Sequence, residues 1–130
     1  MAENFLCLNA DKTELIIFGS KSVTPTIGQV CIKVGDQVIN SSECVRNLGV
    51  KMDQNLSMKQ HVEHICRGAW FHLRKIGQIR SYLNNDTTER LIHAYVSSKL
   101  DFTNCLLYGL PSPLLDKLLP IQNAAARIVR

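Results

Sequence analysis

The sequence predicts an α+β fold: a small antiparallel β hairpin or sheet, then a bundle of three to four helices. Three observations lead there. Residues 1–56 hold short segments rich in apolar and β-branched residues, punctuated by Gly and polar turn residues. From residue 57 the apolar spacing lengthens from two to about 3.6 residues, the mark of amphipathic helix. With 130 residues, 45% of them hydrophobic and 20% charged, the chain can bury a core without disulfides or metals. The division is therefore a strand-bearing part over 1–56 and a helical part over 57–130.

Taking the elements in order, residues 13–18 (TELIIF) read as a strand that Gly19-Ser20 ends, and a loop runs through Pro25. Residues 29–34 (QVCIKV) alternate sides, Gly35-Asp36-Gln37 supplies turn chemistry, and Val38-Ile39 begins the return, which makes a hairpin. Residues 44–52 add a further strand. A long helix follows, with Met58, Val62, Ile65, Cys66, Ala69, Leu73, Ile76, Ile79 and Leu83 on one arc at 100° per residue. Ser57 is its expected N-cap and Asn84-Asn85 its end, about 25 residues later. A second helix opens at Asp86 in a box-like D-T-T-E pattern with Glu89 and runs through Leu91, Ile92, Tyr95 and Val96 toward Leu107. Gly109 and Pro111 close it, Ser112-Pro113 opens a third, and Pro120 kinks or restarts the chain before residues 121–129.

Charge narrows the classes of partner. The net +4 is uneven: residues 1–56 carry five basic and six acidic groups, residues 57–83 five and one, and residues 84–130 five and four. A surplus confined to one helix suits an anionic partner, with a merely solvated face as the alternative. No apolar run approaches the length of a membrane span, and the N-terminus lacks the plan of a signal peptide, so an intracellular, nuclear or cytoplasmic location is expected. Cys7, Cys31, Cys44, Cys66 and Cys105 form no CxxC pair and are expected as free thiols. His61, His64, Cys66 and His72 spread over too wide an arc for a metal site, and no histidine begins an HxD pair. GxSxG, HExxH, GxGxxG and the GxxxxGK phosphate loop are all absent, so no catalytic residue, metal or cofactor is assigned.

On the wheel of the long helix, Lys59, Glu63, Arg67, Trp70, Arg74, Gln78 and Ser81 lie opposite the apolar arc. The one tryptophan thus sits on the polar face, with Arg67 three residues before it and Arg74 four after. Two guanidinium groups and an indole on one stripe suit phosphate contact plus stacking on a base or sugar. The alternative is that Trp70 packs on a neighbouring domain while the arginines stay solvated.

Five stretches, LNADKTELIIFG (8–19), VRNLGVKMDQNLSMKQHV (45–62), FHLRKIGQIRSYL (71–83), KLDFTNCLLYGLP (99–111) and IQNAAARIV (121–129), together resemble the reverse transcriptase of non-LTR (LINE) retrotransposons. The resemblance covers nearly the whole chain. It implies the end of a palm with its primer-grip hairpin, followed by a thumb-like region. The strand pair that bears the catalytic aspartates in this family precedes the matched part. No Tyr-x-Asp-Asp occurs here, so the resemblance implies a truncated RNA-directed DNA polymerase fragment, inactive alone. The apolar start at residues 6–9 and the uncapped end at Arg130 fit cuts through the palm and through the following helices.

Lys12 matches the lysine of the palm's fourth motif, near the phosphates of the incoming nucleotide. Asn47, Leu48 and Gly49 match the primer-grip turn, with Asn47 standing where the family has an aromatic residue. The helix over 58–83 resembles the first thumb helix, which lies along template and primer, so Lys59, Arg67, Trp70 and Arg74 become nucleic-acid contacts. The implied partner is an RNA/DNA primer-template bound through backbone and shape. A protein-interaction module or inert remnant is the alternative. The LNADKTELIIFG region also resembles a short segment attached to AlkB-type alkylated-DNA-repair proteins, but dioxygenase or methyltransferase chemistry finds no iron triad or Gly-rich loop here.

Overall fold

The computed structural model describes residues 9–20, 28–102 and 104–130. The architecture is α+β, two antiparallel hairpins followed by helices, and the chain divides into two compact units on either side of Ser57 and Met58. Expectations for residues 6–8, for Cys7 and for the loop through Pro25 fall outside the described residues, while Cys31, Cys44, Cys66 and Cys105 are free thiols. Among the described residues no helix is long and apolar enough to cross a membrane.

In the first unit, β1 (Cys31–Val34) pairs with β2 (Gln37–Asn40) across a two-residue turn, Val34 facing Gln37. Gly35 supplies the positive φ (61°) that such a turn needs at its first central position, as in a II′ turn. The residue pattern over 44–52 reads as one strand, but the segment is a second hairpin, β3 (Cys44–Asn47) and β4 (Val50–Asp53), with Asn47 facing Val50 and the turn falling where the resemblance implies one. Both of its central residues are left-handed, Leu48 at φ 48° and Gly49 at φ 87°, the requirement of a I′ turn. The strand predicted over 13–18 is also absent. Leu15 makes one isolated parallel bridge to Ser41, and Ser42 N–H donates to the Leu15 carbonyl at 2.8 Å. That partner is the short connection between the hairpins, which is too short to extend a ladder. The segment is held at other points by the Glu14 carboxylate, which accepts from Arg46 N–H at 3.2 Å, and by Gly19 N–H donating to Gln54 O at 3.0 Å.

A leucine in the left-handed region costs about 1–2 kcal/mol, and Leu48 recovers little by packing because it is 85% exposed. Leu48→Asn should therefore stabilise the chain by about 1 kcal/mol, since Asn-Gly is the preferred I′ pair. A thermal melt reads this directly. An unchanged or lower midpoint would show that the turn does not hold the conformation described.

The second unit begins with α1 (Lys59–Ile79), whose Ile65, Ala69, Leu73 and Ile76 recur at helical spacing and bury one face. Its N-cap is not Ser57 but Met58, left-handed at φ 57° with no side-chain cap, while Ser57 N–H donates to the Asp53 carboxylate at 3.1 Å. Nor does α1 run to Asn84. Gly77 loosens its last turn, Ile79 is half-exposed, and Arg80–Tyr82 continues as a 3-10 turn.

Helix α2 (Asn85–Ile92) opens one residue earlier than the predicted Asp86 box, because the Asn84 side chain accepts from Thr87 N–H at 2.8 Å and is the true N-cap. Asp86 lies inside the first turn and pairs with Arg90 at 3.1 Å. The predicted continuous helix to Leu107 is broken into a π-helical segment (His93–Ser97), α3 (Ser98–Asp101) and α4 (Asn104–Leu107). Pro111, not Ser112, caps the short α5 (Ser112–Leu115). Pro120 lies in the first turn of α6 (Leu119–Val129), the restart expected from its missing N–H. The core joins the buried face of α1 to Ile92, Val96, Leu100, Ile121 and Ala125.

Candidate functional site

The buried stripe of α1 dictates what its opposite face presents. With Ile65, Ala69, Leu73 and Ile76 turned into the core, Arg67, Trp70, Arg74 and Gln78 are left exposed, Trp70 at 45%. α1 carries four basic side chains, Lys59, Arg67, Arg74 and Lys75, against one carboxylate, Glu63. That carboxylate is engaged by Lys117, 3.5 Å away. Among the described residues no acidic side chain pairs with Arg67, Arg74 or Lys75, so the surplus positive charge of the helix faces solvent.

The arginine side chains are differently held. Arg67 is exposed and folds back along its helix, its Nε–H donating to the Glu63 carbonyl at 3.3 Å. Beside it lies a shallow groove of about 590 Å³, lined by Glu63, Cys66, Arg67, Trp70, Lys117 and Pro120. The start of α6 forms its far wall, and the Cys66 thiol donates to the Lys117 carbonyl at 3.7 Å. Burial pushes the Cys66 thiol up from its ordinary value, outweighing the nearby Lys117 ammonium, so it is a poor nucleophile. Trp70 thus lines the groove while remaining 45% exposed, on the same helix face as Arg67 and Arg74.

The remaining residues expected at the site fall elsewhere. Lys59 is exposed at the first position of α1, two turns before Arg67. Lys12 ends a 3-10 turn (Ala10–Lys12) in the first unit, exposed, its N–H donating to the Asn9 carbonyl at 3.2 Å. Asn47, Leu48 and Gly49 form the tip of the β3–β4 hairpin, with Asn47 and Leu48 exposed. The structure therefore brings Arg67, Trp70 and Arg74 onto one face of one helix, while Lys12 and the 47–49 turn belong to the other unit.

A second cluster in the helical unit escaped the sequence reading. Lys99 Nζ lies 2.8 Å from His72 Nε2, Tyr95 stacks on the His72 ring at 5.2 Å and 25°, and Phe71 meets that ring edge-on at 5.4 Å. Lys75 stands over the Phe71 ring, 5.9 Å from its centroid. Phe71 and Lys75 are four apart, which could have signalled a pair on one face. Tyr95 was invisible as a surface residue because the apolar spacing of its helix counts it inward. Among the described residues no three His, Cys, Asp or Glu side chains stand close enough to hold a metal ion.

Desolvation first, and the Lys99 ammonium second, hold His72 below the ordinary histidine value of 6.5. The unfolded chain then binds the proton more readily than the folded one, so neutral His72 contributes stability fully above about pH 6.5 and loses it as pH falls through the lower folded value. His72→Gln should accordingly flatten the fall in melting temperature between about pH 7 and pH 5. Parallel curves for the two proteins would show that His72 does not titrate in this way.

Compared with models of known protein families, with curated proteins and with solved structures, the chain matches none.

Proposed function

We propose that this chain is of reverse-transcriptase descent, lacks polymerase activity of its own, and grips an RNA/DNA primer-template through its helical unit. The observation that carries this reading is the exposed Arg67–Trp70–Arg74 face of α1, a helix whose own one carboxylate, Glu63, is engaged by Lys117. Guanidinium groups about two turns apart on one helix suit phosphates of one strand, and the indole between them offers a stacking face. Such contacts read backbone and shape rather than sequence. In the first unit, taken by itself, Asn47 and Leu48 are exposed at the tip of a hairpin turn with Gly49, as primer contact would require, and Lys12 is an exposed cation. Without a Tyr-x-Asp-Asp sequence in its 130 residues, the chain has no paired aspartates of that motif to hold the metals of nucleotidyl transfer.

A protein-interaction role is the competing reading, favoured by Phe102, Leu106 and Tyr108, all exposed around α4. Titration of the folded chain with a primer-template hybrid at two salt concentrations separates them. Binding that weakens steeply with salt is expected. A folded chain that leaves the hybrid unbound at low salt would reject the nucleic-acid reading.

A further inference from the structure

On the flank of α1 that faces the π segment, the exposed groups change from guanidinium and indole to phenyl, imidazole, phenol and ammonium. Phe71 is 58% and Tyr95 48% exposed, each ring already fixed by a neighbour: Tyr95 by its stack on His72, Phe71 by His72 on its edge and Lys75 over its face. Lys99 reaches across α1, its ammonium on His72 Nε2 and 4.0 Å from where a side chain on Gly68 would begin. None of these five side chains carries negative charge. Tyr95 stands at the centre of the π-helical segment His93–Ser97, and such wide turns persist mostly where function compensates for their poorer geometry.

We propose that Phe71, His72, Lys75, Tyr95 and Lys99 form a binding surface for single-stranded nucleic acid, one base stacking on the Tyr95 or Phe71 ring and the adjacent phosphates meeting Lys75 and Lys99. Unpaired strands fit better than a duplex because an exposed ring can stack only on a base whose face is free. Pre-positioned rings lose little freedom when a base docks, which favours stacking over a contact made by mobile side chains. Charge decides between a strand and a neutral apolar partner: two ammonium groups beside two rings complement a chain that alternates phosphate with base. The proposal stands apart from duplex binding by Arg67, Trp70 and Arg74, since it uses none of those residues.

The test is fluorescence anisotropy of the full chain with three labelled probes: an oligothymidylate of about twelve nucleotides, an abasic strand with the same number of phosphates, and an RNA/DNA hybrid. The oligothymidylate is expected to bind roughly tenfold more tightly than the abasic strand, as one stacked base provides. Of Phe71→Leu and Tyr95→Leu, the one that removes the ring carrying the base should abolish most of that preference, with unchanged circular dichroism and hybrid binding within about twofold. Lys99→Gln should weaken both single strands and lower the salt slope by about 0.7, the share of one phosphate. Equal affinity for the oligothymidylate and abasic strands, or a preference that survives in both leucine variants, would overturn the proposal. Hybrid binding without oligothymidylate binding would overturn it alone, oligothymidylate binding without hybrid binding would overturn duplex gripping alone, and no binding to any probe would overturn both.

Discussion

Replacing Arg80 by methionine is expected to lower the melting temperature of the chain by roughly 10–15 °C, from a loss of about 2–3 kcal/mol. Arg80 leaves the end of α1 and gives its donors to three places at once. Its Nε–H donates to the Ile128 carbonyl at 2.7 Å, one Nη donates to the Leu83 carbonyl at 2.9 Å, and the other donates to Asn85 Oδ1 and, at 3.2 Å, to the Val129 carbonyl. Ile128 and Val129 lie in the last turn of α6, where carbonyls have no intrahelical donor and the helix dipole is negative. One guanidinium thus caps α6, closes the 3-10 turn after α1 and holds the residue at which α2 begins. Methionine keeps the unbranched apolar stem and removes every donor, leaving part-buried carbonyls without their partner. Arg80→Lys keeps the charge without the planar fork and should recover less than half of the loss. A methionine variant within about 0.5 kcal/mol of the parent would show that water satisfies these carbonyls as well as Arg80 does.

Nothing in the sequence marks that role. Arg80 reads as one more cation off the polar stripe, and its partners lie 48 and 49 residues away in a helix whose position depends on the packed core. What was legible is what depends on local periodicity. The change of period at residue 57 reflects a helix that must bury Ile65, Ala69, Leu73 and Ile76 together, and the Gly35 turn reflects a φ that glycine adopts without cost. Pro120 restarts a helix because its ring removes a donor wherever it stands.

The misreadings share a cause: local chemistry overruled by tertiary structure. Leu48 and Met58 take left-handed conformations that their side chains disfavour, so the 44–52 hairpin and the start of α1 gave no Gly or Asn signal at those positions. Asn84 reads as the end of one helix, whereas its side chain begins the next, an ambiguity inherent in a residue that favours both. The π segment shifts every later side chain around the helix axis by one residue. Across that segment Ile92, Val96 and Leu100 lie in the core at four-residue spacing, while Tyr95 stays on the surface against His72. The Arg67–Trp70–Arg74 face needed none of these corrections, since it follows from the buried stripe of a single regular helix.

Because that face is separable from the core, it yields the sharpest functional expectation. Arg67→Ala with Arg74→Ala should weaken binding to a primer-template hybrid roughly 10- to 100-fold at low salt and flatten the logarithmic salt slope by nearly two, as for the loss of two phosphate contacts. Folding should be unaffected. Both side chains are exposed, alanine is the strongest helix former, and the interaction lost inside the protein is the Arg67 donation to its own helix at Glu63. Trp70→Leu gives the complementary result: weaker binding with an unchanged salt slope, since an indole releases no counterion. The two variants therefore separate charge from stacking on one surface. If the double variant binds with the parent's slope, phosphates are not meeting Arg67 and Arg74, and the positive face of α1 is only a solvated helix surface.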